Sequence, residues 1–194
     1  FNFEKKMLAD EIEKFYEDMS FGALTLKIEI FDYYLSNPNS FTNYKEANNY
    51  ILEQVDKIID FKEYSNYKDS TIIDGLFIIY DNFYDNWNYN PIWSGIAGIV
   101  LDNYDYHYDG KKIFNKIQGD KSSGIILRAP NGFEYTFWVA VHEIGHLLGL
   151  DHFPEKKQNP YLQLMNPVGD YWGANRGMAF WEREELGWIS PDVK

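Results

Sequence analysis

Met7, Leu8, Ile12 and Phe15 recur at helical spacing, which predicts an amphipathic helix over Phe3 to Met19. Between Leu24 and Ile30 the period falls to two. Leu24, Leu26, Ile28 and Ile30 alternate with Thr25, Lys27 and Glu29, the pattern of a half-buried strand. Helical spacing returns through Ala47, Ile51, Val55 and Ile58, so a second helix is expected over Asn43 to Ile59, with Thr42 or Asn43 as its N-cap. Three short apolar runs then read as sheet strands: Gly75 to Tyr80, Gly95 to Leu101 and Gly124 to Leu127. Loops rich in Asn, Asp, Tyr and Gly separate them, over Tyr80 to Pro91 and Asp102 to Gly110. A further helix is expected from about Tyr135 to Leu148, ending at Gly149. The tail, Pro154 to Lys194, reads as mainly irregular with one short helix near Met178 to Leu186. This order predicts an α+β chain, a sheet with helices packed on it.

No internal repeat or low-complexity linker interrupts the 194 residues, so one continuous domain is expected. Lys and Arg total 18 against 30 Asp and Glu, a formal net charge of −12. Such a chain repels phosphate backbones, which argues against nucleic acid as a partner. The 45% hydrophobic content supports a globular core and excludes disorder of the whole chain. There are no cysteines, so disulfide scaffolds, thiolate metal sites and cysteine nucleophiles are excluded. No run approaches the ~18 apolar residues of a membrane span. A chain that opens on Phe1 reads as a processed or trimmed product, from which any export signal could have been removed.

The chemistry concentrates in His142-Glu143-Ile144-Gly145-His146-Leu147-Leu148-Gly149-Leu150-Asp151-His152. On an α-helix His142 and His146 stand about 40° from eclipsed and roughly 6 Å apart along the axis, so both imidazoles can converge on one metal ion. Glu143 is rotated by about 100° from His142, bordering the ion without ligating it, where a base for water must stand. Gly149 can take the left-handed conformation that ends a helix, and the chain can then return His152 to the same ion. Three imidazoles with one open position suit a catalytic zinc. Val141, Ile144 and Leu148 lie on the opposite face and are expected to anchor the helix. Chance would place these five fixed residues in roughly one of 10⁵ chains this long, so decorative histidines on a core helix are a poor account.

His142 to His152 resembles the extended zinc-binding motif of the metzincin metallopeptidases. Met165, in Leu164-Met165-Asn166-Pro167, is similar to their Met-turn, and the wording is closest to matrixin-like members. Phe180 to Trp188 resembles, more weakly, secreted bacterial metzincins of the immune-inhibitor type. The resemblance implies one catalytic zinc on His142, His146 and His152, with Glu143 as general base. It implies a zincin fold: a twisted, mostly parallel sheet with an antiparallel edge strand, a backing helix, the active-site helix and a small C-terminal subdomain. Residues 1–194 would form one catalytic domain, divided at about 149/150. Extended substrate would lie along an edge strand, with Gly95 to Leu101 or Lys112 to Lys116 as candidates. Pro167 stands two residues after Met165, so no tyrosine serves there as a fifth ligand.

Weaker signals lie elsewhere. Asp102, Asn103, Asp105 and Asp109 offer oxygen ligands for calcium and Gly110 permits a sharp turn, but no full calcium-loop pattern is present. His107 in the same stretch suits a second metal site or an ordinary surface position. The aromatic cluster from Tyr80 to Trp93 suits sugar stacking or core and loop packing. The function expected is a secreted, monomeric, bacterial zinc endopeptidase acting on protein or peptide substrates. Its rivals are a non-catalytic glycan- or protein-binding module and a zinc hydrolase of a non-peptide amide. Three ligands, base, glycine and methionine are all present, which favours the enzyme.

Overall fold

A computed structural model of the chain describes residues 2–37, 40–65, 71, 73–80, 95–97, 105–114, 123–127, 133–152, 164–165 and 177–190. Among the described residues are four α-helices, α1 (Asn2–Met19), α2 (Tyr44–Val55), α3 (Phe133–Leu148) and α4 (Phe180–Glu185). Five strands accompany them: β1 (Leu76–Tyr80), β2 (Gly95–Ala97), β3 (Asp105–Tyr108), β4 (Lys111–Phe114) and β5 (Ser123–Leu127). Packing divides the chain into two units, Phe1–Phe31 with Ala129–Lys194, and Asp32–Arg128. This grouping joins α1 and α3 to the C-terminal segment, whereas a division after Gly149 follows the end of α3. No helix among the described residues is long and apolar enough to cross a membrane.

In the first unit, α1 forms on the stripe read from the sequence. Leu8, Ala9, Ile12, Phe15 and Tyr16 are buried, while Glu11, Lys14, Glu17 and Asp18 stay exposed. Phe15 meets Phe137 and Trp138 of α3 edge-on, each with ring centroids 5.9 Å apart. Burying a side chain of this size contributes about 1.5 to 3 kcal/mol. The Lys14–Asp18 ion pair on the opposite face is exposed, where solvent screening leaves such a pair little weight.

Leu24 to Ile30 is not a strand. The segment is nevertheless one-sided: Leu24, Leu26 and Ile28 are half-buried and Thr25, Lys27 and Glu29 exposed. Its backbone is tied to α1 and its end, with Ile28 N–H donating to Glu13 Oε1 at 2.5 Å and Leu24 N–H to Ser20 Oγ at 3.0 Å. A period of two reports burial of one face; a strand also needs a neighbouring chain to complete its ladder.

The second unit is built around Ala47, Ile51, Leu52 and Val55 of α2, packed with Phe61, Ile73, Tyr80 and Tyr108. Asn43 is the N-cap of α2, its Oδ1 accepting from Glu46 N–H at 3.0 Å. Glu46 reaches back to Thr42, accepting from both its N–H and its hydroxyl. The helix ends at Val55, before the expected Ile59. Ile58, the residue that extended the pattern, is 68% exposed.

β1, β5 and β2 form a three-stranded sheet in that order. β1 runs parallel to β5, with Leu76 opposite Ser123 and Tyr80 opposite Leu127. β2 runs antiparallel on the other side, with Ile96 opposite Ile125. The described sheet is therefore mixed, one pair of each kind, with an antiparallel strand at one end. Residues 98–101 of the expected second run lie outside the described residues. Tyr80 is buried on this unit's core and its hydroxyl donates to Asn48 Oδ1 at 2.5 Å.

β3 and β4 form a separate antiparallel hairpin, Tyr108 opposite Lys111. The reading of Asp102 to Gly110 as loop missed β3. Asp109 and Gly110 both have positive φ, 51° and 76°, as a two-residue type I′ turn requires, and Asp-Gly is one of its preferred dipeptides.

Candidate metal centre

α3 carries the first two histidines on one face, as the i, i+4 spacing requires. His142 is 2% exposed and His146 7% exposed, with Glu143 also buried between them. Trp138, Val139, Ala140 and Val141 are buried and hold the helix in the unit's core, while Ile144 and Leu148 are half-buried.

Gly149 ends the helix at φ 111°. Leu150 N–H donates to Gly145 C=O at 3.0 Å, and Gly149 N–H to His146 C=O at 3.2 Å. The first is the six-to-one bond of a Schellman cap with glycine at C′. The turn then places His152, exposed, against the other two rings.

The Nε2 of His152 stands 3.1 Å from that of His142 and 3.1 Å from that of His146. His142 Nδ1 lies 2.7 Å from Leu164 C=O, and His146 Nδ1 lies 2.7 Å from Leu150 C=O. A carbonyl oxygen can only accept, so both Nδ1 atoms carry the proton in these bonds. In the neutral rings both Nε2 atoms then point a bare lone pair into the cluster. A proton on His152 Nε2 can serve only one of these lone pairs at a time, whereas a cation among the nitrogens is shared by all three rings. Two nitrogens bound tetrahedrally at zinc distances would stand about 3.4 Å apart, close to the observed separations. The donor set and its spacing fit zinc, and the triad is positioned to bind a metal ion.

The backbone carbonyls that fix the two tautomers are themselves held. Leu150 is fully buried in the helix cap. Leu164 and Met165 form a turn that packs under α3. A Cβ placed on Gly145 would meet the Met165 Sδ at 2.7 Å, so only glycine lets the thioether seat this closely.

One residue of the centre was not singled out from the sequence. Glu182 is 0% exposed. It accepts from the N–H groups of Ala179 at 2.6 Å, Met165 at 2.7 Å and Leu164 at 3.2 Å. Burial pushes its carboxyl above the usual range, and the three N–H donors pull it back only partly. The Ala179 contact was legible, because a Glu at N3 of a short helix reaches back to the N-cap. The contacts to residues 164 and 165 cross irregular chain and leave no local pattern.

The other candidates lie in the second unit. Asp109 Oδ2 accepts Phe61 N–H at 3.0 Å, the first N–H of a short 3-10 helix, Phe61–Tyr64, whose N-cap is Asp60. Asp105 stands in β3 and His107 is exposed on the same strand. Asp102, Asn103 and the aromatic stretch from residues 81 to 94 lie outside the described residues, as do Asn166 and Pro167. Among the described residues the histidine triad is the one cluster with metal-ligand spacing.

The family model described as Matrixin matches residues 54–168, a span that holds α3, all three histidines, Glu143 and Met165. The match covers more than half of the chain. A search of curated proteins gives no match.

Proposed function

The chain belongs to the matrixin family, and from that membership we propose a zinc endopeptidase that cleaves peptide bonds within protein substrates, with Glu143 as general base. The observation that carries this reading is the convergence of three imidazole nitrogens, two of them with their protons held on the far side of the ring. His142, His146 and His152 would hold the ion. Zinc, when bound, supplies Lewis acidity, which polarises a carbonyl and makes water a nucleophile near neutral pH.

Glu143 follows His142 on α3, about 100° around the helix, so its carboxylate borders the triad without competing for the ligand positions. Its task is to accept the proton that the attacking water loses and to hand it to the leaving amine. Burial of Glu143, at 5% exposure, keeps competing water away from that transfer. The Schellman turn at Gly149 keeps His152 in place, and Met165 supports α3 from beneath at Gly145.

Denatured casein, incubated with the protein with and without a zinc chelator, tests the reading. Cleavage that the chelator abolishes and zinc restores supports it. A zinc-loaded, folded protein without action on casein or on a peptide library would remove it.

A further inference from the structure

We propose that Glu182 is a positioning residue for the metal ligand His142, acting through the backbone of Leu164. The proposal rests on the zinc reading above. Leu164 uses both of its backbone groups: its C=O takes the His142 Nδ1 proton at 2.7 Å, and its N–H donates to Glu182 Oε2 at 3.2 Å. The next N–H, from Met165, donates to Glu182 Oε1 at 2.7 Å. The two carboxylate oxygens therefore grip Leu164, whose carbonyl orients the imidazole, and its neighbour Met165.

Capping α4 does not account for this arrangement. A capping glutamate needs only the N-cap N–H, here Ala179, and normally sits at the surface. Glu182 is instead withdrawn from water altogether, and two of its three donors come from 17 and 18 residues away. Buried carboxylates carry a desolvation penalty that only good hydrogen bonding offsets. The three N–H donors supply it, and they join α4, the Met165 turn and His142 into one bonded chain. Partners of a ligating histidine set its ring orientation and tautomer, and losing them typically weakens metal binding by about 10- to 100-fold.

Glu182→Gln orphans at least one donor of the Leu164–Met165 turn whichever way the amide turns. With its nitrogen in the Oε1 position it orphans Met165 N–H; in the Oε2 position it orphans Leu164 and Ala179. Ala179→Pro is the contrasting variant. It deletes only the donor that belongs to α4, at a φ of −66° that proline adopts. Zinc affinity of the full chain is measured by competition with a chromophoric chelator, and melting of the zinc-free chain by calorimetry. The expected result is a zinc dissociation constant raised about 10- to 100-fold in Glu182→Gln and unchanged in Ala179→Pro. A Glu182→Gln chain that melts lower yet binds zinc like wild type overturns the proposal, since Glu182 then serves stability alone. Ala179→Pro decides even if Glu182→Gln does not fold. Retained affinity supports the relay through Leu164, and a ten-fold loss overturns it by routing the coupling through α4. A wild-type chain that takes up no zinc would instead remove the zinc reading itself.

Discussion

The Tyr16 hydroxyl donates to the carbonyl of Val141 at 2.5 Å, joining residues 125 positions apart in the chain. Val141 immediately precedes His142 and Glu143, so the bond ties α1 to the turn of α3 that bears these two residues. Tyr16 is completely buried, with the Trp188 ring edge-on at 6.3 Å. Burial holds its hydroxyl well above the ordinary tyrosine range, reinforced by the charges of Glu182 and Glu143. The bond needs that proton, because the Val141 carbonyl can only accept. All of α1 precedes residue 54, where the family match begins, so this brace comes from sequence outside the matched segment.

Tyr16→Phe should remove that bond while keeping the ring packing. Val141 C=O retains its place in the helix, so the loss should be about 0.5 to 1.5 kcal/mol rather than that of an orphaned group. For a chain of this size each kcal/mol lowers the melting temperature by about 2 to 4 °C. Calorimetry on the zinc-free protein measures it. A variant melting with wild type would show that α1 docks on its apolar stripe alone.

Gly145→Ala should be destabilising even though alanine is the better helix former. The helical preference favours alanine by up to about 1 kcal/mol, but the new methyl would stand 2.7 Å from Met165 Sδ. The sulfur must move, and with it the turn whose Leu164 carbonyl holds His142. Overpacking of this kind costs about 1 to 3 kcal/mol, so the net effect should be loss of stability together with weaker zinc binding. Denaturant melts and chelator competition on the same preparation check both. A variant more stable than wild type would mean that Met165 yields freely.

These contacts divide what the sequence makes legible from what it hides. α1, α3 and the end of α3 at Gly149 were readable, because spacing and glycine chemistry are local. So was the triad, since three ligands and their turn fall within eleven consecutive residues. Leu24 to Ile30 misled, because its alternation describes burial of one face and not pairing with a strand. The β3–β4 hairpin was written in Asp109-Gly110 but lacked an apolar run on either side. The bonds of Glu182 to Leu164 and Met165 and of Tyr16 to Val141 could not be read at all. Each acts on a backbone group far along the chain, and a backbone acceptor or donor leaves no residue type to notice.

The α2 cap gives a pH-dependent prediction in the second unit. Glu46 is held below the usual carboxylate range by the Thr42 N–H first and the Thr42 hydroxyl second. A depressed folded value means that the contribution is present above the ordinary glutamate range and disappears as pH falls through the lowered one. Glu46→Gln should therefore melt below wild type at pH 7, and the difference should close in acid. Melting curves of both proteins across that range measure it. A gap that stayed constant with pH would assign the effect to side-chain shape.

Glu143→Gln separates the chemical step from metal binding. Glutamine matches glutamate in size and reach but cannot accept a proton at neutral pH. If Glu143 only helps to pack α3, casein cleavage should hardly change. If it is the base, cleavage should fall at least about 10²-fold, the scale on which positioned proton transfer contributes. Zinc content should stay at the wild-type level, because the imidazoles of His142, His146 and His152 and the carbonyls of Leu164 and Leu150 are untouched. Elemental analysis and a cleavage assay on one preparation read both quantities. A folded, zinc-loaded and inactive variant places Glu143 in the proton transfer, whereas cleavage at the wild-type rate would remove it from the mechanism.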